Sequence, residues 1–186
     1  MTAPVEYTSS AEKCLLVAVR DRLREVFQDT EVQIEFDEMA PATVGNRYMI
    51  VLPGGYVPGP RHVSSGTIRD LVFGVDVLIA KRARHVPRDR TRDLYLLNLG
   101  SLASDCEAVV AAIDWRYEVM NAANVTILAE LGSSEGFEEP LKVAGIDSRP
   151  REAPPGLFGA AGQQAAGLMR TVHFHGARRT ITLDRS

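Results

Sequence analysis

The chain has 186 residues, is 45% apolar and 24% charged, and carries a formal net charge of −3. The apolar fraction is ample for a buried core and excludes wholesale disorder, and the length fits one domain, alone or with an extension. Near-neutral charge argues against a generic nucleic-acid coat. No run approaches the ~20 apolar residues of a membrane helix, and the opening MTAPVEYTSS lacks the basic-then-apolar pattern of a signal peptide, so neither a membrane anchor nor secretion is expected.

The first predicted element is a helix from Ala11 to Phe27. Ser9 and Glu12 have capping-box spacing, and Leu15, Val19, Leu23 and Val26 recur at helical intervals opposite Lys13, Arg20, Asp21 and Arg24. Asp29-Thr30 breaks that pattern. Glu31–Phe36 then alternates, with Val32, Ile34 and Phe36 on one side, which predicts a strand with one wet face. Tyr48–Leu52 is continuously apolar and predicts a buried strand, which Pro53-Gly54-Gly55 should stop in favour of a loop reaching Pro60. From Thr67 to Ala80 a long strand points Phe73, Val75, Val77 and Ile79 one way and Asp70, Val72, Gly74, Asp76 and Leu78 the other.

A polar crossing, Arg82–Arg92, leads to a second helix from Leu102 to Asn121. Its inner stripe is Leu102, Cys106, Val109, Ile113, Tyr117 and Met120; Ser101 or Ser104 can cap it, and Asp105 and Glu107 suit the positive end of its dipole. Val125–Leu131 reads as a strand. Residues 132–167 carry repeated Pro, Gly, Ala and Gln and read as an irregular loop or arm. Leu168–His175 and Arg179–Leu183 then read as two short strands of a hairpin around Gly176-Ala177, with Leu168, Arg170, Val172 and Phe174 on one face.

Consecutive strands without helices between them predict antiparallel pairing. The expected architecture is α+β: a mostly antiparallel sheet with two main helices on one face, and a long irregular segment before a C-terminal hairpin. Residues 1–131 would form the core, 132–167 the arm, and 168–186 the strands that complete the sheet.

Catalytic constellations are not apparent. Gly54-Gly55 runs into a proline-rich loop, so no phosphate-binding helix start follows it; there is no Cys-x-x-Cys pair and no Gly-x-Ser-x-Gly elbow. No catalytic, cofactor or metal residue is assigned, and the chain is not expected to be an enzyme. Cys14 and Cys106 read as small buried thiols. His173 and His175 would project from one strand face and start a metal site only if His62, His85 or Asp184 supplied a third ligand; otherwise they mark a half-exposed strand. Asp70 and Asp76 are about 20 Å apart along an extended strand, too far to act on one bond, and read as solvated. Trp115 lies off the inner stripe, and either meets another subunit or covers a sheet edge.

The sharpest local feature is basic: Lys81, Arg82, Arg84, Arg88, Arg90 and Arg92, offset by Asp89, with Arg178 and Arg179 as a second cluster. Such arginines suit a solvated loop, bidentate pairing with a partner protein, or phosphate contact. Arg82, Arg84, Arg88, Arg90, Arg92, Trp115, Arg178 and Arg179 are therefore the candidate interface residues.

The order of the segments AEKCLLVAVRDRLREVF, LVFGVDVLIAKRAR, SDCEAVVAAIDWRYEVM and VHFHGARRTITL resembles the tail terminator, or tail-completion, proteins of long-tailed bacteriophages. The resemblance is one of layout and spans about three-quarters of the chain. It implies a structural virion protein assembled in the host cytoplasm. Such a protein forms a homo-oligomeric ring, typically hexameric, that caps the tail tube, meets head–tail connector proteins and lets DNA pass through its lumen. Two alternatives stand beside it: a nucleic-acid-binding module using residues 81–92, and a small metal-dependent enzyme at His173 and His175.

Overall fold

The computed structural model describes residues 10–34, 46–59, 68–82, 91–153 and 167–182. Among them are three helices, α1 (Ala11–Val26), α2 (Thr91–Ile113) and α3 (Tyr117–Leu131). The strands are β1 (Glu31–Ile34), β2 (Arg47–Pro58), β3 (Ile68–Arg82), β4 (Lys142–Ile146), β5 (Arg151–Glu152) and β6 (Gly167–Thr182). They form one sheet in the order β1-β2-β3-β6-β4, with β5 also beside β6. Only β1 and β2 run parallel; the other pairings are antiparallel. The α+β class follows, with a mostly antiparallel sheet.

The long pairing of β3 with β6, from Ile68↔Thr182 to Arg82↔Gly167, is the spine of the molecule. Period-2 alternation sends Phe73, Val75, Val77, Ile79, Val172 and Phe174 into one core, together with Val32, Met49 and Val51. Leu15, Val19 and Leu23 of α1, Leu102, Cys106, Val109 and Ile113 of α2, and Val119, Ala123 and Ile127 of α3 close it from the other side. The opposite sheet face carries a smaller cluster of Tyr48 and Ala80, flanked by Ile50, Leu78, Ala153 and Met169.

Several expectations need correction. The N-cap of α1 is Ser10, whose hydroxyl accepts from the Lys13 backbone N–H, in place of Ser9. The second helix begins eleven residues before Leu102, at Thr91, so the polar crossing 82–92 ends inside α2. Asp105 therefore sits mid-helix, away from the positive dipole end. The helix stops at Ile113 and not at Asn121, because Trp115 takes a left-handed backbone conformation (φ 55°) that no helix tolerates.

Val125–Leu131 is helical, the second half of α3, so the described residues hold three helices. Its apolar run is short enough to fit either period; the buried Val119, Ala123 and Ile127 at four-residue intervals decide for the helix. Gly132 closes α3 in the left-handed conformation, with its N–H bonded to the Leu128 carbonyl.

β2 does not end at Pro53. It continues to Pro58 through a register shift between Pro53 and Tyr56, and a proline beside such an irregularity is tolerated because the ladder is already interrupted there. Gly54 is required at this crossing: a Cβ on it would lie 2.7 Å from the Gly74 carbonyl carbon. The expected hairpin at Gly176-Ala177 is a single continuous strand. Gly176 (φ 108°) forms a bulge opposite the register shift at Phe73/Gly74, and the chain runs straight on. Within the presumed irregular stretch 132–167, Phe137 and Leu141 are buried in the main core and β4 and β5 extend the sheet. Residues 35 and 36 of the first predicted strand lie outside the described residues.

Candidate functional site

Two polar constellations are built on this frame. The first lies on the sheet face away from the helices. Asp76 on β3 and His173 on β6 are direct partners in the register, and Asp147 follows β4. The alternation that buries Val75, Val77, Val172 and Phe174 on the helix side turns Asp76 and His173 to the other. His173 Nδ1 lies 2.8 Å from an Asp76 carboxylate oxygen, and Nε2 lies 3.1 Å from Asp147 Oδ1. The bond to Asp147, ahead of that to Asp76, raises the His173 pKa above its usual range against the opposing effect of burial. Asp147 is lowered, first by its bond to His173. It also has Arg151 at 3.8 Å.

This geometry bears on the metal alternative. Each imidazole nitrogen is taken by a different carboxylate on opposite sides of the ring, so those groups cannot converge on one ion. Among the described residues no cluster of three or more His, Cys, Asp or Glu is arranged to hold a metal. His175 is exposed, and His62, His85 and Asp184 lie outside the described residues. Asp70, expected to be solvated, is fully buried and accepts a hydrogen bond from Thr180 Oγ1 at 2.8 Å. A buried carboxylate needs such donors, and β6 supplies one because it runs on past Gly176.

The second constellation joins β2, β3 and α2. Arg47 and Lys81 face each other across the β2–β3 ladder. The Arg47 guanidinium donates to Asp105 Oδ1 (2.7 Å), Asp29 Oδ1 (2.6 Å) and Thr30 Oγ1 (2.6 Å), and stands 4.8 Å over the Phe27 ring. Lys81 Nζ donates to Asp105 Oδ2 (2.8 Å) and to the Ser101 hydroxyl. Arg47 holds the Asp29 carboxyl below the usual range. Asp29, Asn46, Arg47 and Lys81 line a cleft of about 280 Å³. Sequence reasoning missed this cluster, since its members are scattered from residue 29 to residue 105.

The interface candidates divide. Arg82 is exposed at the end of β3; Arg84, Arg88 and Arg90 lie outside the described residues; Arg92 is in the first turn of α2. Arg178 and Arg179 are held within the molecule. Arg178 pairs with Glu138 and Glu139, and Arg179 donates to the Glu135 carbonyl and the Ser133 hydroxyl. They pin the 133–139 segment to β6, and so serve the fold. Trp115 is more than half exposed, with the Lys142 ammonium 4.4 Å over its ring, so it both shields the start of edge strand β4 and presents an aromatic surface. Tyr117, expected on the inner stripe, is also more than half exposed.

Cys14 and Cys106 are buried and unpaired, as small apolar groups. Burial raises both thiols, Cys106 to about 11. Against known proteins, no family model matches the chain and no curated protein is significantly similar to it.

Proposed function

We propose that this chain is a structural assembly protein of a long-tailed phage, a ring-forming tail terminator or head–tail connector component that caps the tail tube and joins it to the head. The layout resemblance supplies the family. Self-association is supported by one surface. Tyr117, Val125 and Leu128 lie within one face of α3, opposite the buried Val119, Ala123 and Ile127, and each is more than half exposed. Asn121 shares that face, and the exposed Glu118 borders it beside Val125. Trp115 stands beside it at the α2–α3 corner, and Val143 and Ile146 on edge strand β4 are also exposed. Large aromatic and aliphatic side chains grouped this way suit the core of a protein interface.

A ring needs a heterologous contact, in which this patch meets a different surface on the next copy. The basic crossing Arg82–Arg92 is the candidate for that second surface, and few of its arginines are expected to line the lumen, where a tight grip would hinder DNA passage.

The test is the mass of the purified protein by light scattering, with electron microscopy of the particles. Rings are expected for the native chain. Val125→Glu with Leu128→Glu should give folded monomers, since both positions are surface, and Arg84→Glu with Arg88→Glu should impair assembly. A native chain that stays monomeric at every concentration, alone and with tail tubes, would overturn the proposal. So would unchanged assembly by the α3 double variant.

A further inference from the structure

His173 has one carboxylate on each ring nitrogen, and that arrangement has a strict proton requirement. Both carboxylates are acceptors, so both nitrogens must donate, and only the imidazolium carries two N–H groups. A neutral ring has one N–H and one lone pair. In that state one carboxylate faces a lone pair and must turn away or lose its bond.

The two partners are not equivalent. Asp76 belongs to β3, flanked by β2 and β6, and its contact is the shorter at 2.8 Å. Asp147 belongs to the outer connection from β4 to β5, its contact is 3.1 Å, and a second cation, Arg151, already stands 3.8 Å from its other oxygen. Loss of a proton leaves a single N–H. The shorter contact on the central strand keeps it on Asp76, even though the bond to Asp147 does more to raise His173. Asp147, still held by Thr171, then faces a lone pair with Arg151 beside it.

We propose that Asp76–His173–Asp147 is a proton-operated clasp that holds the 142–153 strap against β6 while the imidazole is charged and loosens it when the ring becomes neutral. The strap is otherwise fixed by the β4–β6 and β5–β6 ladders, by the Val143 N–H on the Asp114 carboxylate and by the Thr171 side chain on Asp147. Backbone bonds from Asp147 N to Thr171 O and from Ala153 N to Gly167 O add to these, as does Arg170, which donates to the Asp147 and Ser148 carbonyls. None of those changes with pH near neutrality. The titratable or charged groups facing the ring are Asp76 from β3, Asp147 from the β4–β5 connection with Arg151 of β5 behind it, and His175 two residues along β6. The sign follows from the two shifts. The raised His173 contributes stability that is full below its ordinary value and lost as pH rises through its folded value. The lowered Asp147 contributes stability that is lost as pH falls through its own. The clasp is closed between those limits. Because β4 is the outer strand of the sheet, its opening loosens an edge.

The proposal does not depend on the phage reading, and its test uses the full chain. Amide hydrogen exchange, corrected for intrinsic rates, is measured at Asp147 and Ala153 below and above the His173 titration, which is followed by NMR of the imidazole. Protection at both amides is expected to fall roughly two- to fivefold as the ring deprotonates, the range for a half-exposed ion pair. In His173→Gln the same amides should show no such step. Should that variant misfold, Asp147→Asn provides an independent check: it should lower the His173 titration midpoint and abolish the step. Protection that is flat through the native titration overturns the clasp, as does a step that persists in Asp147→Asn or a native His173 that titrates at or below 6.5.

Discussion

Replacing Asp105 with Asn should be among the most costly polar substitutions in this protein. The side chain is only 10% exposed and accepts two charge-assisted bonds, from Arg47 at 2.7 Å and Lys81 at 2.8 Å. Removing one member of a fully buried pair costs about 3–5 kcal/mol, because the remaining charge is stranded away from water. Here the stranding is incomplete. Arg47 and Lys81 are 18% and 26% exposed, Arg47 keeps Asp29 and Thr30, and Lys81 keeps Ser101. The expected loss is therefore about 2–3 kcal/mol. Asp29→Asn is the control: it removes a bond of similar length to the same arginine, but Asp29 is 83% exposed, so about 0.5 kcal/mol or less is expected. Urea unfolding followed by circular dichroism measures both. Equal losses, or an Asp105→Asn loss within about 0.5 kcal/mol of zero, would refute the view that desolvation of the two cations sets the value of this carboxylate.

Gly54→Ala should destabilise the β2–β3 crossing by about 1–3 kcal/mol, read from the thermal midpoint, because its Cβ meets Gly74 and Val75 backbone that cannot give way; an unchanged midpoint would show that β2 does not lie on β3 there. Cys106 should resist thiol reagents in the folded protein at neutral pH, since it is only 1% exposed and burial raises its thiol to about 11, and should react at once in denaturant. Fast labelling of Cys106 under native conditions would contradict its place in the core. Trp115→Gly should leave the folded subunit as stable or more stable, because glycine accepts φ 55° without strain, yet weaken self-association if its ring lies in the interface; thermal melts and light scattering read the two effects separately.

The sequence by itself determined the elements whose pattern is long and locally consistent. α1 is written in its apolar stripe, β3 in its alternation over more than a dozen residues, and the core-facing half of α2 in Leu102, Cys106, Val109 and Ile113. These are properties of near neighbours along the chain, so periodicity reports them. The α+β class followed from their order. What the tertiary structure decided were the cases where two local readings are close in energy and a distant contact chooses. Val125–Leu131 is helix because α3 buries Ile127 in the shared core and Asn124 clamps the Phe137 backbone. Gly176 is a bulge in a continuous strand because β3 is long enough to pair on both sides of it. Pro53 stays in a strand because the β2–β3 ladder shifts register just beyond it, where a missing N–H costs little. The polar clusters were hidden for the same reason: His173 meets Asp76 across 97 residues and Arg47 meets Asp105 across 58. No spacing along a chain encodes such encounters; they exist only once the sheet has set its register.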